Sequence, residues 1–148
     1  MTKLIDSPDN ALALKLLRSE KIFSTLFQLS PVGMAVVDAN TGKFLEVNDS
    51  ILKSTGYAKQ EFINLSYWDI TPREYEAQEQ QQLKDLEATG RFGPNQKEYI
   101  RKDGTKYPIS ISGVALTDID GKQVVLGIIE DITKQKAYEH KLEHFALY

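Results

Sequence analysis

Two histidines near the end of the chain have a spacing that could hold a metal ion. His140-Lys141-Leu142-Glu143-His144 places them four residues apart, on one face of a helix, and matches the H-x-x-E-H pattern of some zinc proteases. The segment is terminal and amphipathic, however, and the sequence supplies no further ligand. We therefore interpret both histidines as solvent-facing residues of a linker, and we predict no metal site and no catalytic residue.

Two other short motifs resemble ligand-binding loops but lack an essential residue. Asp118-Ile119-Asp120-Gly121 begins like a calcium loop, yet no glutamate follows at the required position. Gly42-Lys43 is followed by Phe44 rather than by Ser or Thr, which excludes a phosphate-binding loop. Residues 118–121 are instead predicted to form a hairpin turn.

A polar group on an otherwise apolar helix face is the stronger indication of binding. At 100° per residue, the helix predicted after Pro72 presents one face made of Tyr75, Glu79, Gln82, Leu83 and Leu86, with Gln78 at its edge. Either this stripe is narrow and its polar groups reach solvent, or Gln82 or Gln78 hydrogen-bonds a polar ligand, since a buried amide needs a partner. Glu79 is the poorer candidate, because burying an unpaired carboxylate costs far more than burying an amide.

Composition limits the partners and the chemistry. The chain has 148 residues, 41% of them hydrophobic and 26% charged, with a net charge of −3. This balance gives no electrostatic reason to expect nucleic acid or an anionic membrane as partner. The chain has no cysteine, which excludes disulfides and thiolate chemistry. Because it shows no signal peptide and no apolar run of transmembrane length, we expect a cytoplasmic protein without a membrane span.

The elements that must position these residues follow from periodicity and turn chemistry. Ser7-Pro8-Asp9 predicts a helix start, and Ser30-Pro31 ends the region. Within it, four apolar residues and one serine recur at heptad spacing, which fits either a dimeric coiled coil or packing against the chain's own domain. The residues at this spacing are Leu12, Leu16, Ser19, Phe23 and Leu26.

The remaining pattern predicts two strands, several helices and then three strands. The strands cover residues 33–38, 43–47, 92–101, 106–117 and 122–129. Asn48 is placed to cap a short helix that stops at Gly56, and further short helices fit residues 59–63 and 67–70. Thr71-Pro72-Arg73-Glu74 resembles a capping box that opens the longest internal helix. We predict an α+β fold with one five-stranded antiparallel sheet whose helices cover one face.

The last strand is apolar on both faces. Val124, Leu126 and Ile128 lie on one side, and Val125 and Ile129 lie on the other. An antiparallel sheet that is wet on one side would alternate apolar and polar residues instead. The second face therefore needs a cover, for which the N-terminal helix and a partner subunit are the two candidates.

Seven motifs in series resemble the PAS sensor domain, over about residues 23–133. They are Ser30-Pro31-Val32-Gly33-Met34, Val37-Asp38, Val47-Asn48, Thr55-Gly56-Tyr57, Glu61-Phe62, Arg101-Lys102-Asp103-Gly104 and Glu130-Asp131-Ile132-Thr133. The resemblance implies a sheet cupped around a small pocket that helices close. The candidate lining residues here are Tyr57, Trp68, Tyr75, Gln78, Gln82, Leu83, Phe92, Tyr99, Ile109 and Ile111.

The resemblance also implies a route for a signal and limits the cofactors. Asp131 and Thr133 would couple the last strand to a helical linker, with Asp131 paired to Arg101 or Lys102. Thr133 is also placed to cap that helix. A cysteinyl-flavin adduct is excluded, because the chain lacks cysteine, and His-ligated haem is not expected, because both histidines lie beyond residue 133. Non-covalent flavin stays open, and the cofactor, if one exists, is unknown.

The end of the chain resembles a connection to an output enzyme. Residues 139–146 are similar to the linker that joins such domains to a GGDEF diguanylate cyclase, and a histidine kinase is the alternative. We expect an N-terminal extension (1–30), a PAS sensor (31–133) and the start of a linker (134–148), forming a non-catalytic input module that homodimerises. A ligand-free dimerisation module is the rival interpretation. The predicted seam comprises Leu12, Leu16, Phe23, Leu26, Tyr138, Leu142 and Phe145.

Overall fold

A computed structural model describes residues 8–146. Five α-helices are α1 (Pro8–Leu29), α2 (Asp49–Thr55), α3 (Lys59–Phe62), α4 (Glu76–Thr89) and α5 (Thr133–Ala146). Five strands are β1 (Gly33–Asp38), β2 (Phe44–Val47), β3 (Arg91–Ile100), β4 (Lys106–Thr117) and β5 (Gln123–Asp131). Two 3₁₀ helices, Tyr67–Ile70 and Arg73–Tyr75, precede α4. Ser7, Leu147 and Tyr148 lie outside the described residues.

The strands form one antiparallel sheet in the order β2-β1-β5-β4-β3. The last strand, β5, therefore lies at the centre, between β1 and β4. Gly127 of β5 pairs with Ala35 on one side and with Gly113 on the other. The predicted five-stranded α+β fold is confirmed, and its central strand is the one that leads directly into α5.

Local turn chemistry explains where the strands reverse. The carboxylate of Asp118 accepts the backbone N–H groups of Asp120 and Lys122, both at 2.9 Å. Gly121 follows at a φ of 82°, which favours glycine. In the preceding hairpin, Asp103 accepts the N–H of Thr105 at 2.9 Å. Both predicted hairpins are confirmed.

Asn48 joins three elements. Its Oδ1 accepts the N–H groups of Ile51, at the start of α2, and of Met34 in β1. Its Nδ2 donates to the carbonyl oxygens of Phe27 in α1 and of Val32, each at 2.9 Å. The side chain is fully buried, and these four bonds satisfy its amide. The predicted cap is confirmed, and the same side chain also connects α1 to α2 and β1 by hydrogen bonds.

The predicted capping box before α4 is wrong. The hydroxyl of Thr71 donates to the carbonyl oxygen of Tyr67 at 2.6 Å and does not cap the helix that follows. A 3₁₀ turn over Arg73–Tyr75 comes first, and the α-helix starts only at Glu76.

The outer face of the sheet is not covered by α1. Leu126 and Ile128 share this face with Leu116 according to the strand register, and Ile128 and Leu116 are 44% and 45% exposed. Leu12, Leu16, Phe23 and Leu26 of α1 are each more than half exposed. Within residues 8–146, the N-terminal helix therefore leaves Ile128 and Leu116 on this face open. No helix in residues 8–146 is both long enough and apolar enough to cross a membrane.

Candidate functional site

A cavity of about 490 Å³ lies between α4 and the inner face of the sheet. Ala35, Gly127 and Ile129 form its floor at the centre of the sheet, and small residues there leave room above the strands. Ring side chains contribute much of the wall. They are Phe44, Tyr67, Phe92 and Tyr99. The volume lies within the range of roughly 300–1,000 Å³ that is usual for small-molecule sites.

Helix α4 supplies the polar part of the wall. Glu79, Gln82, Leu83 and Leu86 all line the cavity, as the helical periodicity placed them on one face. Glu79 is 2% exposed and Gln82 is 4% exposed, so their polar groups do not reach solvent. Of the two interpretations of this stripe, the structure supports burial.

Glu79 is buried because it has a partner that the sequence did not reveal. Lys97 of β3, which is 3% exposed, donates to Oε1 of Glu79. Gln82 Nε2 donates to Oε2 of Glu79 at 3.1 Å, and Asn95 Nδ2 donates to Oε1 of Gln82 at 3.2 Å. The four side chains form one polar network inside an apolar cavity. The cost of burying an unpaired carboxylate therefore does not apply to Glu79.

Burial shifts the pKa values of the groups around this network. Burial lowers the pKa of Lys97, although the neighbouring Glu79 charge opposes the shift. Burial and the Glu79 charge together raise the pKa of Tyr67 to about 12 and that of Tyr99 well above 10. The ammonium of Lys97 also lies over the Tyr99 ring, 5.2 Å from its centroid. Both tyrosines are therefore neutral near pH 7.

Half of the predicted pocket residues line this cavity. These are Gln82, Leu83, Phe92, Tyr99 and Ile111. The other five do not line the cavity, because their side chains contact other parts of the protein.

Two of those five are polar residues engaged elsewhere. The hydroxyl of Tyr75 donates to Glu98 at 3.0 Å, and Nε2 of Gln78 donates to the carbonyl oxygen of Gln96 at 3.2 Å. Tyr75 precedes α4 and Gln78 lies in its first turn, and both reach across to β3 rather than into the cavity.

The other three pack against the protein itself. Tyr57 packs edge-on against Phe62 with ring centroids 5.9 Å apart, and Ile109 is fully buried in the core. Trp68 packs against Tyr67 and stays 38% exposed.

The predicted signal residues have partners other than the expected ones. Oδ1 of Asp131 accepts both the backbone N–H and the hydroxyl of Thr133, at 2.9 and 2.5 Å. Thr133 is the first residue of α5 and therefore does not cap it. The carboxylate of Asp131 accepts the first backbone N–H of the helix instead. Lys102 forms an ion pair with Glu61 at 2.8 Å, and Nε of Arg101 donates to the carbonyl oxygen of Ser54. The expected pairing of Asp131 with a basic residue is absent among the described residues.

Tyr107 lies between these signal residues. The Arg101 guanidinium sits 4.4 Å from the centroid of its ring, and the Asp131 charge helps burial to raise its pKa above the usual value of 10. Its hydroxyl is buried without a hydrogen-bond partner in the described part of the chain. Such a group is destabilising, and sequence reasoning had no signal by which to find it.

The seven predicted seam residues are all exposed. Each of Leu12, Leu16, Phe23, Leu26, Tyr138, Leu142 and Phe145 is more than half accessible to solvent. His140 lies on the same exposed helix, α5. Within residues 8–146, no three His, Asp or Glu side chains come together as a group that could hold a metal ion.

Comparison with known proteins agrees with this architecture. The PAS domain family model matches residues 31–134. A methyl sulfide methyltransferase-associated sensor of Methanosarcina acetivorans is 27% identical over 121 residues, which are 82% of this chain and 12% of that protein. The sensor histidine kinase TmoS of Ectopseudomonas mendocina is 27% identical over 126 residues, 84% of this chain and 13% of that protein. The chain thus spans about an eighth of the length of these relatives.

Solved structures share the fold. A domain of a sensory box sensor histidine kinase/response regulator from Geobacter sulfurreducens has a TM-score of 0.66 at 22% identity, covering 78% of this chain and 96% of that one. The PAS domain of a LuxR-family transcriptional regulator from Burkholderia thailandensis, solved in complex with ethanol, has a TM-score of 0.64 at 20% identity. That match covers 74% of this chain and 96% of that one.

Proposed function

Because the chain belongs to the PAS domain family and is therefore a sensory signalling module, we propose that it binds a small molecule in the cavity beside α4. The observation that carries this proposal is the buried polar network of Glu79, Lys97, Gln82 and Asn95 on the wall of a 490 Å³ apolar cavity. Apolar sites with a few convergent polar groups are the usual form of small-molecule sites. The related fold solved with ethanol is a further support.

The cavity floor offers a direct route for the signal. Val125, Gly127 and Ile129 of β5 all line the cavity, and the same strand ends at Asp131, whose carboxylate holds the start of α5. In this proposal a ligand changes the packing on β5, and the change biases the orientation of α5. Both states exist without ligand, and the ligand shifts their populations by its difference in affinity.

A substitution at the floor tests ligand binding. A Cβ atom on Gly127 would meet only Ile129 Cδ1 at 3.5 Å and the Ala35 carbonyl oxygen at 3.8 Å, which are ordinary contacts. Gly127→Ala should therefore keep the cavity, whereas Gly127→Phe should fill it. Native mass spectrometry of protein purified under non-denaturing conditions should show a bound small molecule in the wild type and in Gly127→Ala. It should show none in Gly127→Phe. A wild-type protein that carries and accepts no small molecule would instead favour the ligand-free dimerisation module.

We also propose that α5 leads to an output enzyme. Residues 139–146 resemble the linker to a diguanylate cyclase, while the name of the relative TmoS favours a sensor histidine kinase as the second candidate. Either enzyme would consume a nucleoside triphosphate, for which a cytoplasmic location is suitable. Full-length protein supplied with GTP or ATP separates the two: cyclic di-GMP identifies the cyclase, and a phosphorylated histidine identifies the kinase.

Exposed apolar side chains on both terminal helices support a homodimer. Phe23 and Leu26 of α1, and Leu142 and Phe145 of α5, are between 51% and 73% exposed. We propose that they pack against a second copy at the spacing of a coiled-coil seam. Sedimentation should give a dimer for the wild type and a monomer for the double variant Leu26→Glu/Leu142→Glu. A wild type that stays monomeric at high concentration would overturn the proposed seam.

A further inference from the structure

We infer that the cavity binds an uncharged, ring-containing compound through a hydrogen-bond acceptor such as a carbonyl oxygen, held by N–H groups of Lys97 and Gln82. This inference rests on the proposed function, because it names the chemical class of ligand for the same cavity. It follows from three properties of the wall: its unused donors, its charge and its aromatic surface.

The two buried donors of the polar network, Lys97 and Gln82, have N–H groups left over. Lys97 has three N–H groups and Gln82 has two, and each residue spends one of them on Glu79. Both oxygens of Glu79 and the side-chain oxygen of Gln82 already accept a bond. Among residues 8–146 no oxygen accepts the remaining N–H groups. A ligand that completes the network must therefore supply an acceptor.

The charges around the cavity select an uncharged acceptor. The ammonium of Lys97 already pairs with Glu79, so the network is neutral as it stands, and a carboxylate ligand would add an uncompensated buried negative charge. The carboxylate of Glu87 also lines the cavity and opposes the entry of an anion. A cationic ligand would be repelled by the ammonium of Lys97, which lies beside the oxygens of the network.

The rest of the wall suits a flat apolar body. Phe44, Tyr67, Phe92 and Tyr99 line the cavity, and aromatic faces bind rings through offset or edge contacts. On the sheet side of the cavity, Ala35 and Gly127 have small side chains or none and leave room for such a ring. An aromatic ketone or amide combines the required acceptor with such a body.

Four compounds of nearly equal shape test the inference: acetophenone, benzoate, benzylammonium and ethylbenzene. Binding to the whole chain is measured by ¹H–¹⁵N chemical-shift titration at pH 7, and Gly127→Phe serves as the blocked control. Acetophenone should bind at least tenfold more tightly than each of the other three, since a hydrogen bond from a charged donor is stronger than a neutral one. If benzoate, benzylammonium or ethylbenzene binds as tightly as acetophenone or more tightly, the ligand class is overturned. The proposed function still stands in that case, provided that the compound no longer binds Gly127→Phe. If none of the four shifts the cavity resonances, both are overturned.

A matched pair of variants tests the donor itself. Gln82→Leu removes an N–H donor from the wall and leaves the pair of Lys97 and Glu79 in place. Gln81→Leu makes the same change on the exposed side of α4. Acetophenone affinity should fall several-fold in the first variant only, and ethylbenzene affinity should not fall in either. Equal acetophenone affinity in the two variants would show that Gln82 does not contact the ligand and would overturn its assigned role.

Discussion

Replacing Lys97 with methionine should destabilise the domain far more than replacing a surface lysine. Methionine keeps much of the apolar stem but removes the ammonium, so the Glu79 side chain, which is 3% exposed, loses its only cationic partner among residues 8–146. Breaking a buried ion pair by removing one partner costs about 3–5 kcal/mol. That energy corresponds to an unfolding constant raised between about a hundredfold and a few thousandfold.

A double-mutant cycle separates the pair from the packing around it. Glu79→Gln combined with Lys97→Met removes both charges, so no unpaired ion remains buried. The double variant should be less destabilised than the sum of the single variants by about 2 kcal/mol or more, because the singles each leave one charge alone. Urea unfolding followed by circular dichroism gives all four free energies. Lys84→Met, on the exposed side of α4, is the control and should change stability by less than about 0.5 kcal/mol.

Two results would refute this reasoning. If Lys97→Met costs no more than Lys84→Met, the ammonium is solvated in solution and the pair is not buried. If the two single effects simply add in the double variant, the two charges do not interact. Either result would also remove the basis for the polar wall of the cavity.

For three further substitutions, the local hydrogen bonding predicts whether stability rises or falls. Tyr107→Phe should raise the free energy of unfolding by about 1 kcal/mol in urea, because it deletes a buried hydroxyl without a partner, whereas Tyr75→Phe should give no gain. Asn48→Ala should lower it by at least about 3 kcal/mol, since all four hydrogen bonds of a buried side chain are lost; a cost below about 1 kcal/mol would show that the cap is dispensable. Lys122 and backbone N–H groups lower the pKa of Asp38 from 3.8 to about 2, so its stabilisation is complete above about pH 4 and is lost as the pH falls through 2. Asp38→Asn should therefore flatten the acid-induced fall in stability, and an unchanged pH profile would contradict this.

Local signals in the sequence were sufficient for most of the elements. Helix α2 begins after the side-chain cap Asn48 and ends at Gly56, which has a φ of 81°. Both residue types are recognisable as helix ends without any knowledge of the fold. The hairpin at Asp103-Gly104 is of the same kind. Such signals work because each depends on atoms within a few residues of one another. Thr71 is the exception, because its hydroxyl could either accept the backbone N–H of Glu74 or donate to the carbonyl oxygen of Tyr67, and the sequence does not rank the two.

Periodicity also placed one wall of the cavity correctly, but not the opposite wall. Glu79 and Gln82 share a helical face in any environment, so the sequence predicted that they lie together. Lys97 stands in the run Gln96-Lys97-Glu98, where every side chain is polar and neither face is marked as buried. Its orientation depends on the register of β3 against β4, which shifts between Phe92 and Asn95.

The sequence by itself thus determined the elements, the family and the inward face of α4. The tertiary structure alone decided that Lys97 meets Glu79, that Arg101 lies over the Tyr107 ring, and that the Tyr107 hydroxyl lacks a partner. The physical reason is the distance along the chain. Caps, turns and helical faces are set by neighbours a few residues away, whereas the partner of a buried charge comes from another strand. Its identity is known only once the sheet has been assembled.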